Sequence, residues 1–144
     1  MTAIWRDGCT VRYHWDEAGG GIMGQHWAAY WRFRDQFAEV LDPERYSLEW
    51  LDGQVMSGTF KVWASANAAI IAKIEAYPTG AMDIHGLLAA GDLSEIVDTL
   101  IPQAEAWGRA VGCIGAKIES RAGWVRALKQ SGWEIHQTTL RKVL

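Results

Sequence analysis

Few side chains in this sequence can exchange a proton near neutral pH, and the two best placed are His85 and Glu119. His85 precedes Gly86 in an otherwise apolar run at 81–90, and an imidazole there can act as general base or acid. A histidine in such a run can equally be a hydrogen-bonded core or edge residue. Glu119 stands before Ser120 and Arg121, where a carboxylate can cap a helix, pair with the arginine or relay a proton. Cys9, His14 and His26 are donors of the right kind for a metal ion. Their spacing matches no tetrahedral signature and a fourth ligand is missing, so no metal is expected. Cys9 and Cys113 lie too far apart for a disulfide framework and read as reduced thiols in a cytoplasmic protein. Neither a phosphate-cradling P-loop nor a nucleophile elbow is present.

Charge divides the chain. Residues 109–144 hold seven basic and two acidic side chains, a balance of +5, which leaves −8 for the rest of a chain of net charge −3. Such a basic segment can meet a phosphate-bearing ligand, a nucleic acid or the acidic part of its own chain. The nine tryptophans are spread evenly, which suits packing better than a base-stacking platform, so nucleic-acid binding is disfavoured. No apolar run is long enough to cross a membrane, and Met1 to Gly8 contain no secretory apolar core.

The elements that must position these residues follow from periodicity. Residues 9–15 read as a strand, and the Gly-rich stretch 16–21 as a break. Apolar residues recur at helical spacing over 24–41 until Asp42-Pro43 stops them. Residues 46–52 fit a strand or a helical turn, and Asp52-Gly53 favours a turn. Three strands at 58–65, 68–77 and 81–90, with Asn67 and Pro78 to Gly80 at their turns, predict an antiparallel meander. Asp92 is a good N-cap for a helix reaching Gly112, with Glu95 placed to complete a capping box. Pro102 should kink or split that helix. A strand at 113–119, a helix at 121–130 and a closing strand at 133–144 complete a single α+β domain over 1–144.

From about Lys61 onward this order resembles the GNAT (N-acetyltransferase-type) fold, in which a mostly antiparallel, twisted sheet is flanked by helices. The sharpest local likeness is Ala-Leu-Lys-Gln-Ser-Gly-Trp at 127–133, similar to the family's passage from helix to strand. The stretches 101–113 and 123–128 also resemble small GNAT-like proteins of tailed phages and prophages. The resemblance implies a splay between the strand ending near Ala90 and the strand starting near Cys113. Acetyl-CoA would lie there, its pantetheine arm paired with the backbone of Leu87, Leu88, Ala89 and Ala90. Its pyrophosphate would rest on the helix start at Gly91, Asp92, Leu93 and Ser94, where amides and the helix dipole favour anions. Arg121 and Trp124 would flank it, and His85 and Glu119 would supply acid and base.

Two departures qualify that implication. Leu88 stands where the family's phosphate loop has a basic residue or glutamine, and Asp92 and Glu95 put negative charge where a pyrophosphate would bind. The family's tyrosine acid is replaced by Leu128, and no tyrosine follows Tyr77. The departures favour a GNAT-like protein with a degenerate acyl-CoA site and a binding or assembly role, with a protein partner or self-association and, as one setting, a phage particle. The alternative is an acyl-CoA-dependent N-acyltransferase acting on an amine.

Overall fold

The computed structural model describes residues 21–120 and 123–144, with side chains from His26 onward. The expected strand at 9–15, most of the glycine break, Cys9, His14 and Arg121 lie outside the described residues.

Helix α1 (Gly21–Val40) buries Tyr30, Phe33 and Phe37, spaced three and four apart along one face. It ends where Asp42-Pro43 cannot continue it. Helix α2 (Leu48–Met56) settles the ambiguous stretch, because the Ser47 hydroxyl caps it by accepting from the Trp50 amide at 3.1 Å. Leu51 and Val55, four apart, bury its inner face. Asp52-Gly53 is therefore helical rather than a turn. Asp52 is held by a two-pronged ion pair with Arg34 (2.8 and 2.7 Å) and by the Tyr30 hydroxyl, which tie α2 to α1.

Strands β1 (Lys61–Ala64), β2 (Ala68–Ala76) and β3 (Met82–Gly91) form the expected antiparallel meander. Strand β4 (Gly115–Ile118) joins it parallel to β3, giving the order β1-β2-β3-β4. A parallel neighbour requires a crossover, and the helix between β3 and β4 supplies it. Central β2 is apolar on both faces, as a strand covered twice must be. Ala69 and Ile71 pack with α1 and α2, while Ala68, Ile70 and Ala72 face the crossover helix beside Ile96, Leu100, Ile101 and Ala104.

That crossover runs through α3 (Leu93–Glu95), a π-helical turn (Ile96–Leu100) and α4 (Ile101–Val111). Pro102 stands where the run divides, as expected. Proline sits in the first turn of α4, where a missing N–H is tolerated, and the irregularity is absorbed by the wider π turn before it. Gly112, left-handed at φ 102°, stops α4 as expected. After β4 come α5 (Gly123–Leu128) and a single 3-10 turn ending at Gly132. The expected closing strand is absent: residues 133–144 pair with no strand of the sheet among the described residues. The apolar residues there change face, Ile135 and Val143 at odd positions and Leu140 and Leu144 at even ones, so no single side can be buried.

Candidate functional site

Strands β3 and β4 pair over four positions only, from Asp83 with Gly115 to Gly86 with Ile118. Beyond Gly86, β3 continues beside β2 but without β4, and β3 and β4 diverge around a cleft of about 310 Å³. Leu87, Leu88 and Ala89 line one wall, Ile118, Glu119 and Ser120 the other, and Trp124 of α5 and Val40 of α1 the approaches. The divergence has a local cause in β3. Ile71 stands opposite Leu88 but Ala72 opposite Gly86, so Leu87 is the extra residue of a β-bulge and is left out of the ladder with β2. On its other side, the backbone edge from Leu87 to Ala90 has no strand beside it among the described residues.

Not every residue assigned to the cleft from sequence lies on it. Ala90 is buried in the core under α1, so only its backbone is available. Gly91, Asp92, Leu93 and Ser94 stand at the exposed start of the crossover helix, where the resemblance put the pyrophosphate, and do not themselves line the cleft. Trp107, outside the cleft lining, meets Trp63 edge to face at 5.4 Å. Leu128, at the position of the family's acid, is 4 % exposed and belongs to the core below α4.

At the helix start the Asp92 carboxylate accepts from the Glu95 amide at 3.0 Å and from the Ser94 hydroxyl at 2.9 Å. Both contacts stabilise the anion, and hold the Asp92 carboxyl below its ordinary range. The capping box is only half formed. Glu95 turns to the β1–β2 turn and accepts from the Asn67 amide at 3.1 Å, leaving the Asp92 amide to bond the Asn67 carbonyl. Gly91 makes this close approach feasible: it is left-handed at φ 97°, and a Cβ there would stand 2.1 Å from the Asn67 oxygen.

The chemistry-bearing group next to the cleft is larger than the two residues read from sequence. His85, 7 % exposed, lies between its ladder partners Lys73 on β2 and Lys117 on β4. Its Nε2 is 3.8 Å from Oε1 of Glu119, whose side chain is mostly exposed on the cleft wall. On the other side, Nδ1 is 3.2 Å from Oε2 of Glu75 but off the hydrogen-bonding direction, so this buried nitrogen has no hydrogen-bond partner. Lys117 Nζ holds the same Glu75 oxygen at 2.7 Å. Burial, then the Lys117 charge, push the His85 pKa down, against the opposing pull of Glu75 and Glu119. At neutral pH the imidazole is uncharged and carries a lone pair. Sequence reasoning missed Glu75 and Lys117. The signal was the period-two alignment of Lys73, Glu75, His85 and Lys117, which is visible only once strand register is known.

Among the described residues no helix is long and apolar enough to cross a membrane. No protein-family model matches the sequence, and no curated protein matches it. Solved structures do. An acetyltransferase from Trypanosoma brucei aligns with a TM-score of 0.61 at 14 % identity, covering 82 % of this chain and 94 % of that one. A GCN5-related N-acetyltransferase from Ralstonia eutropha aligns at 0.58 and 18 % identity, over 84 % and 90 % of the two chains. A predicted acetyltransferase from Clostridium acetobutylicum, solved with acetyl-CoA, aligns at 0.58 and 10 % identity, over 84 % and 91 %. At such identities the likeness establishes the fold, which is GNAT-like, and no more. These structures lend no support to the likeness to phage and prophage proteins.

Proposed function

We propose that the chain binds an acyl-CoA-type thioester in the β3–β4 cleft and transfers its acyl group to an amine. The observation that carries this reading is the bare β3 edge from Leu87 to Ala90 along an apolar cleft. A pantetheine arm carries amide groups at intervals, and an unpaired strand edge can bind it as it would an added strand. The fit is good for the thioester arm and poor for the pyrophosphate, since Asp92 already occupies a helix-start amide and is itself an anion.

The chain's own residues supply three functions. The backbone of bulged Leu87, outside the ladder with β2, can donate to the oxyanion that forms as the amine adds to the thioester carbonyl. The uncharged His85 can take the amine's proton, with Glu119 at the cleft wall orienting the ammonium before it is released. As the carbon–nitrogen bond forms and the carbon–sulfur bond breaks, the electron pair leaves with sulfur. Leu128 cannot protonate that sulfur. A thiol of pKa about 8.5 is an adequate leaving group as thiolate, so the missing acid slows the step without forbidding it.

A second reading, binding without transfer, is favoured by the apolar, buried Leu128, which leaves the departing sulfur without an acid at that position. Titration of the protein with acetyl-CoA, followed by tryptophan fluorescence and thermal shift, tests the first step. Saturable quenching that is lost in Trp124→Phe, together with a raised melting temperature, is expected. No response at millimolar acetyl-CoA would sink both readings. Binding without release of free thiol in the presence of a panel of primary amines would select the second.

A further inference from the structure

We propose that Glu75, anchored by Lys117, is the positioning residue that fixes the His85 ring so that its Nε2 lone pair and Glu119 together receive the protonated amine. The inference rests on the transferase reading of the cleft and adds Glu75 and Lys117, which that reading does not use. Its starting point is the orphaned Nδ1 of His85, a buried polar atom without a hydrogen bond, 3.2 Å from a carboxylate oxygen. A buried ring nitrogen left unsatisfied is costly, and a small rotation of either side chain aligns an Nδ1–H donor on Glu75. That choice of tautomer leaves Nε2 as an acceptor.

On that side stands a second acceptor, Glu119 Oε1, 3.8 Å from Nε2. Two acceptors facing each other at this separation repel unless a donor lies between them. A primary ammonium can bond both at once. Glu119 then keeps the cation in place while its proton passes to Nε2, giving a free amine and an imidazolium whose charge Glu75 compensates. Lys117 holds Glu75 at 2.7 Å and keeps it ionised, the Glu75 carboxyl lying below its ordinary range chiefly through that bond. Lys73 faces the same imidazole from β2, and Asp83, bonded by the Tyr77 hydroxyl at 3.0 Å, lies at the far end of the cluster. The arrangement has the logic of a carboxylate orienting a histidine, built here from three adjacent strands.

Long-range proton–nitrogen correlation spectra of uniformly nitrogen-15-labelled protein test this directly, with His85 assigned by its loss in His85→Gln. The expected result is Nε2 resonating as an unprotonated nitrogen at pH 8, and a swing towards the Nε2–H tautomer in Glu75→Leu. A wild-type His85 already protonated at Nε2, or a tautomer unmoved in Glu75→Leu, overturns the proposal. Should Glu75→Leu fail to fold, Lys117→Met provides the second measurement. Removing that anchor releases Glu75 from its place beside the ring, so the Nε2–H tautomer must gain population, and an unchanged tautomer ratio also overturns the proposal. These spectra need no acyl transfer: a tautomer that responds as expected in a protein that releases no thiol refutes the transferase reading alone.

Discussion

His85 and the Tyr30–Asp52–Arg34 contact show how single residues here couple charge to folding. The folded state holds the pKa of His85 below its ordinary value, mainly through burial, and that of His26 likewise. The unfolded chain therefore binds protons first as pH falls. Stability present above about pH 6.5 is lost progressively below it, until the folded-state values are reached. Melting temperatures measured from pH 8 down to pH 5 should decline in this window, and His85→Gln should decline less steeply. On the helix side, Asp52→Ala leaves a buried tyrosine hydroxyl and a guanidinium without their carboxylate. A loss of about 2 kcal/mol or more is expected, read from the urea midpoint. None of these contacts was legible in the sequence, since Tyr30 and Asp52 are distant in the chain and Asp52-Gly53 carried a turn signature that the Ser47 cap overrode.

Among the elements, two glycines with similar backbone conformations give a sharp contrast. Gly91→Ala must force a Cβ into the Asn67 backbone, whereas the left-handed Gly132 has open space around it. The first substitution should cost about 3 kcal/mol or more and the second about 1 kcal/mol, a difference that thermal denaturation resolves. At the same turn, Asp92→Asn with Glu95→Gln keeps a good N-cap while removing two negative charges. Acetyl-CoA affinity, measured by calorimetry, should tighten about fivefold if those charges oppose the pyrophosphate, and an unchanged affinity would refute that electrostatic argument. The meander and the Asp92 cap could be read from local signals, because β-branched alternation and capping chemistry act over a few residues. The bulge at Leu87 could not, because it is a relation between two strands and Leu87 looks like its neighbours.

For the whole molecule, the order of strands and helices from Lys61 as far as the turn at Gly132 was legible, whereas the closing strand expected at 133–144 does not form. Hydrophobic periodicity reports what each segment needs covered, but a strand also needs a partner, which no local pattern supplies. Leu128 shows the same limit from the other side: it was read as the loss of a catalytic acid, and in the fold it plugs the core below α4 beside Trp124 and Trp133. The π turn at Ile96–Leu100 carries a further consequence. A π turn holds one residue more than the α-helical turn it replaces, so it amounts to a single-residue insertion tolerated in mid-helix. Excising one residue there, such as the exposed Thr99, would restore a regular helix while the segments on either side kept the faces they now present. Asp92 and Glu95 would then keep their hold on the β1–β2 turn, so the chain can lose one codon here without unseating the start of the crossover.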